Sequence, residues 1–182
     1  MASFKSYFFQ ASILLGMMLF VAPSLARANV KVTKGVINDI CSKTQNPSFC
    51  LGVLNQIPGA TTADLPGLAK ITIDLASSNA TKTLQLIKSL VPKATNSKLK
   101  ERYGTCSEHY DNAIGDLDDA QQHLKTGDPM GANFSASASM DEVGDCDDEL
   151  KGLPADPSVL KGNQDLNNIC SIILVIANLI PR

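Results

Sequence analysis

After an apolar N-terminal run, hydrophobic residues recur every three or four positions along the chain, the spacing of helices with one buried face. Val32, Val36, Ile37 and Ile40 form the first such group, and Phe49, Val53, Leu54 and Ile57 the second. Between them stands Asn46-Pro47. Proline lacks the N–H, and its ring pushes the preceding residue out of the α region, so the helix breaks here. Asn46 or Ser48 can cap the second helix. Pro58-Gly59 closes this section. The pattern predicts a hairpin of two short helices within residues 29–58, too small to fold alone.

Beyond the hairpin lie four longer stretches. The first runs from Thr62 to Val91, with Leu65, Leu68, Ile71, Leu75, Leu86 and Leu90 near one face. Thr62 or Asp64 caps it ahead of Pro66, and Val91-Pro92 stops it. Its middle, Ala76 to Thr81, is small and polar, which predicts close approach of another element. The second covers Asn96 to Thr126, with Leu99, Tyr103, Cys106, Tyr110, Ala113, Ile114, Leu117, Ala120 and Leu124 as the buried stripe. Gly127-Asp128-Pro129 ends it. The third spans Met130 to Leu150 with Phe134, Ala138, Val143, Cys146 and Leu150 inward, and the last covers Ser158 to Ile180. No stretch alternates with a period of two. Long helices with short connections predict an all-α, up-down-up-down four-helix bundle over 59–182, preceded by the hairpin. Tryptophan is absent and aromatic residues make up 5% of the chain, so the core must rest on Leu, Ile, Val and Ala.

The N-terminal run changes the picture. Lys5 precedes a mostly apolar stretch from Phe8 to Val21, and Ala26-Arg27-Ala28 places small residues before Asn29, the pattern of a secretory signal over residues 1–28. A membrane span needs about 20 apolar residues, more than this run supplies. Removing it takes Lys5 and Arg27 from the 16 basic residues, leaving 14 against 18 acids, a net charge of −4. That balance argues against a nucleic-acid or anionic-membrane partner, which would call for a basic face, and suits a basic protein partner.

A secreted chain with five cysteines can close at most two internal bridges. The break at Asn46-Pro47 folds Cys41 and Cys50 toward each other, and a bridge closing so short a loop contributes roughly 2–3 kcal/mol. A free thiol pair or half of a zinc site are the alternatives, though zinc favours closer spacing and nearby histidines. Cys106 and Cys146 lie on successive helices and can face each other. Cys170 sits in the apolar run Asn168 to Ile176 and reads as a buried, inert thiol, an intermolecular bridge being the alternative. Asn79-Ala-Thr81 and Asn133-Phe-Ser135 permit N-glycosylation.

No constellation for catalysis stands out. His109 and His123 share a helix face but lie about 21 Å apart at 1.5 Å per residue, too far to share a metal. Cys170 has no electropositive neighbour to favour a thiolate. The acids Asp141, Glu142, Asp145, Asp147, Asp148 and Glu149 fail as an EF-hand loop because Leu150 stands where that loop needs glycine. They read as a solvated helix face or a partner-binding surface, which Asp111, Asp116, Asp118 and Asp119 would enlarge. The reading is of a protein without catalytic residues, metal site or cofactor.

Several motifs carry a family likeness. They are Cys41-x-x-Thr44-x-x-Pro47-x-x-Cys50, the stretch from Leu99 through Arg102-Tyr103 and Cys106 to Tyr110 and Ala113-Ile114, Ala136-Ser-Ala, Asp141-x-Val-Gly-x-Cys146, and Cys170-x-Ile-x-Leu-Val-Ile-x-Asn-Leu-Ile-Pro181. With these the chain resembles the plant invertase and pectin methylesterase inhibitor family over nearly all of its length beyond residue 28, and its Arg102 to Ala113 stretch and its tail favour the pectin branch. The resemblance implies bridges Cys41–Cys50 and Cys106–Cys146 with Cys170 free, and an apoplastic protein that binds its enzyme one to one over the active-site cleft. It implies a contact surface on the later bundle helices, from Glu108 through Tyr110 and Asp111 to Asp116, and on Asp141, Asp145 and Asp148. The partner it implies is pectin methylesterase. An acid invertase is the alternative within the family, and a non-inhibitory structural or signalling bundle the alternative outside it. Asp145 departs from the threonine the family commonly has before its fourth cysteine.

Overall fold

A computed structural model describes residues 31–181, all of its regular elements being helical. The signal segment 1–28 lies outside the described residues. Helix α1 (Lys34–Ser42) and α2 (Pro47–Gln56) form the hairpin, and α3 (Leu65–Leu90), α4 (Ser97–Lys125), α5 (Pro129–Leu150) and α6 (Pro157–Leu179) form the bundle. Each boundary has a local cause. Asn46, Asp64, Asn96, Asp128 and Asp156 each accept an N–H of the first turn on a side-chain oxygen. At four of these five starts a proline occupies the first or second helical position, the start of α4 being the exception. Asp64, not Thr62, caps α3, so that helix begins later than the sequence pattern suggests. Gly127, at φ 76°, turns the chain between α4 and α5 in the left-handed region.

In the bundle α3 packs on α4 and α6, and α5 packs on α4 and α6. This is the square of an up-down-up-down bundle. Disulfides join Cys41 to Cys50 and Cys106 to Cys146, and Cys170 is a buried free thiol. Burial and the field of Asp116 push the Cys170 thiol up to about 12, with a Ser139 hydrogen bond opposing them. It is therefore a poor nucleophile.

The core has two centres. One lies inside the bundle, around Ile73, Tyr110, Leu117, Val143, Leu166 and Ile173. The other lies under the hairpin, where Ile37, Ile40 and Leu54 meet Leu65, Leu68 and the α6 residues Ile172 and Ile176. The hairpin is further tied by Val32, whose N–H donates to the Ala63 carbonyl (3.0 Å), and by the Gln45 N–H to Ser171 Oγ (3.2 Å).

Three inward assignments from the sequence change. On α3, Leu65 and Leu68 are buried as expected, but Ile71, Leu75, Leu86 and Leu90 are only half-buried, and the other buried positions are Ala69, Thr72, Ile73, Ala76, Ala80, Thr83, Leu84 and Ile87. On α4, Ile114 and Leu124 are half-buried. On α5, Phe134 is 67% exposed and Ala138 half-buried, while Ala132, Ala136 and Ser139 face the core. The buried stripes of α3 and α5 are built largely from small residues, which apolar periodicity does not detect.

Small residues there allow close approach. A Cβ built on Gly162 of α6 would stand 2.4 Å from Thr83 Oγ1 and 2.7 Å from Thr83 Cγ2. The Thr83 hydroxyl donates to the Asn79 carbonyl within α3 (3.0 Å), so the threonine cannot turn away without losing that bond. Gly162→Ala is therefore expected to cost about 1–3 kcal/mol by overpacking, read as a lowered urea midpoint with an unchanged slope.

Candidate partner-binding face

The outward side of α5 carries Phe134, Asp141, Asp145 and Asp148, all exposed, at spacings that keep them on one helix face. Beside it, α4 presents Glu108 and Asp119, exposed, and the half-buried Asp116. No lysine or arginine lies between Arg102 and Lys125, and α5 has none at all. The two adjacent helices thus form an acidic face. Arg102 lies at its edge, ion-paired to Glu149.

The seam between the two helices is where the charges meet. His109 Nδ1 lies 2.6 Å from Glu142 Oε2, and Asn112 Nδ2 donates to Glu142 Oε1 at 3.2 Å. Partial burial raises the Asp116 carboxyl above its ordinary value, and Glu142, Asp119 and Asp141 raise it further. His123 pairs instead with Asp128 at the α4–α5 turn (3.1 Å). The two histidines therefore have separate carboxylate partners, and each pair crosses between elements the one-helix spacing argument did not consider.

Not every residue expected on this face is there. Tyr110 is fully buried, and its hydroxyl donates to Asn163 Oδ1 at 2.6 Å. It cannot touch a partner. Burial raises its pKa above the usual tyrosine value, so it stays protonated and donating. Asp111 is exposed but turns to the α3 side, where it pairs with Lys88 at 3.1 Å. Asp147 faces α6 and accepts from Asn163 Nδ2 at 2.6 Å. Burial raises its pKa, with Asp148 adding to the effect and the Asn163 bond opposing it. Glu108, Asp116, Asp141, Asp145 and Asp148 remain on the face. Phe134 joins them unannounced, because in the sequence it sits in phase with a core position that Ser139 and Ala136 fill instead.

The two sequons are set differently. Asn79 is half-buried in the middle of α3, with its Oδ1 buried and unpaired. Asn133 donates from Nδ2, the atom a glycan would occupy, to the Leu174 carbonyl of α6 (3.0 Å).

Crowding of like charges has a measurable consequence. The folded state binds the Asp116 proton more tightly than the unfolded chain does, so this group's contribution is most favourable below the ordinary carboxylate value of 3.8 and is lost as pH rises through the raised folded value. Asp116→Asn is expected to raise Tm at neutral pH, with the gain vanishing below pH 3.8. Thermal melts across pH test this, and a gain independent of pH would contradict it.

A family model described as plant invertase/pectin methylesterase inhibitor matches residues 35–176. A pectinesterase inhibitor of Actinidia deliciosa is 43% identical over 169 residues, which cover 92% of this chain and 91% of that one. The crystal structure of a mutant form of a pectin methylesterase inhibitor from Arabidopsis superposes with a TM-score of 0.75 at 40% identity, covering 80% of this chain and 97% of that chain. Cell wall / vacuolar inhibitor of fructosidase 2 of Arabidopsis thaliana is more distant, 28% identical over 165 residues, 88% of this chain and 91% of that one. With a family model spanning its hairpin and all four bundle helices, and a near-full-length match to a pectinesterase inhibitor, this chain belongs to the plant invertase/pectin methylesterase inhibitor family.

Proposed function

We propose that this protein inhibits a plant pectin methylesterase, binding one to one across the active-site cleft and excluding pectin without performing chemistry itself. The observation that carries the reading is the near-full-length 43% identity to a pectinesterase inhibitor, against 28% to an inhibitor of fructosidase, the enzyme class of invertase. The reading includes secretion to the cell wall, supported by the signal pattern of residues 1–28.

The acidic side of α4 and α5 is the proposed contact surface. A charged, base-free face steers a positively charged partner toward it, and exposed acids around an aromatic residue match the rim and anchor of a protein interface. Phe134 is the anchor in this scheme: it is a large apolar side chain left 67% exposed by the described residues. The carboxylates orient the encounter, and the phenyl ring supplies the desolvated area that slows dissociation.

Titration of the oxidised protein, from Asn29 onward, into a plant pectin methylesterase should abolish activity at one equivalent and give a co-eluting complex on size exclusion, leaving plant acid invertase untouched. Inhibition of invertase alone would assign the chain to the other branch, and no effect on either enzyme would leave the non-inhibitory bundle. Phe134→Ala is expected to weaken the complex about tenfold or more through faster dissociation, with Tm unchanged because the ring is exposed. Asp141→Lys should slow association, and the wild-type association rate should fall as salt rises. A salt-independent rate would remove the charge-steering part of the reading.

A further inference from the structure

We propose that His109, Glu142 and Asp145 form a binding site for a divalent transition cation of the zinc class, bridging α4 and α5. One ligand atom from each of the three lies within 4.8 Å of the others. His109 Nδ1 and Glu142 Oε2 are already 2.6 Å apart. Glu142 and Asp145 are three residues apart on α5, the spacing that puts two side chains on adjoining turns of one face. His109 reaches them from the neighbouring helix.

Three features suit this group to a cation. It contains an imidazole, the commonest ligand type for transition cations, which oxygen-seeking magnesium and calcium do not prefer. Its Glu142 is oriented from behind by Asn112 Nδ2 at 3.2 Å, an outer partner of the kind that fixes ligand carboxylates. And Asp145 makes no ion pair or side-chain hydrogen bond among the described residues, so its carboxylate is free to swing inward. A tetrahedral zinc with bonds of about 2.0–2.2 Å needs ligand atoms roughly 3.3 Å apart. The 2.6 Å His109–Glu142 contact opens by roughly 0.7 Å to admit the ion, and the exposed Asp145 swings in through its side-chain rotamer. Three protein ligands leave the fourth position to water. Two carboxylates balance the 2+ charge, and the neighbouring Asp116 and Asp141 add to the attraction.

Metal ligands bind in their deprotonated forms, so zinc binding releases protons and competes with them. A bound cation would also cancel the repulsion across the α4–α5 seam. The site stands on its own residues and does not depend on which enzyme, if any, meets this face.

The test is calorimetric titration of zinc chloride into the metal-stripped, oxidised protein at neutral pH, in a non-chelating buffer with no esterase present. The expected result is saturable one-to-one binding. His109→Ala and Asp145→Asn should each weaken it at least about tenfold, while His123→Ala should leave it unchanged. Wild-type Tm should rise with zinc concentration and that of His109→Ala should not. Because His109 is only half-buried and Asp145 is exposed, both variants should melt cooperatively without metal. Absence of saturable binding by wild type would overturn the proposal. So would binding unaffected by His109→Ala, which would place the ion among the surrounding acids, and so would equal binding of calcium.

Discussion

The Cys106–Cys146 bond joins two helices whose acids crowd one another along part of their seam. Asp116 faces Asp141 and Glu142 across the α4–α5 seam, and no lysine or arginine of either helix stands among them to neutralise the field. Exposed like charges at such distances cost only fractions of a kcal/mol each in water, but the effect accumulates along a seam and is least screened where the groups are partly buried. A covalent crosslink is insensitive to that repulsion. It holds the two Cα atoms at 4.8 Å and buries both sulfurs completely. With the spacing of α4 and α5 set in this way, the acidic face can carry more charge than packing alone would tolerate.

Behind the bridge runs a chain of polar contacts. The Tyr110 hydroxyl, deep in the core, donates to Asn163, whose amide in turn donates to Asp147 near the surface, and the Asn163 amide also lies against Cys146 Sγ at 3.6 Å. A buried amide with both its donor and its acceptor engaged fixes the rotation of α6 relative to α4 and α5, because only one register satisfies all partners. Tyr103 does the same at the other end of α4, its hydroxyl accepting the Asp156 N–H at 2.8 Å where α6 begins. Tyrosines here work as locators as much as volume. They compensate for a core otherwise made of aliphatic and small residues that could slide past one another.

How much of this could be read in the chain depends on the kind of signal. Helix number, order and ends were legible, because prolines, capping side chains and Gly127 act locally and leave their mark in sequence. The hairpin was legible for the same reason. The faces of α3 and α5 were less so: Ala76, Ala80, Ala132, Ala136 and Ser139 are buried through their smallness, and a search for apolar periodicity gives weight instead to Leu75 or Phe134. The acidic face was legible as a composition, but not as a geometry. Tyr110 and Asp111 share a stretch with Glu108 and Asp116, yet one residue of helix is a rotation of about 100°, enough to send Tyr110 into the core and Asp111 toward Lys88. The pairing of His109 with Glu142 requires knowing which α5 residue lies opposite, and nothing within a single helix carries that information.

The hairpin docks against the rest of the fold in a way that separates two jobs. Among the long helices, only α6 brings its backbone close to α1 and α2, and Ile172 and Ile176 serve that contact while Ile169 and Ile173 serve the bundle. The outward sides of α4 and α5 take no part in it. Substitutions there are thus insulated from the packing that holds the hairpin, and the acidic face is free to drift in charge and shape while the scaffold stays constant. A lineage built on this plan can vary the outward positions of two helices and inherit its fold unchanged.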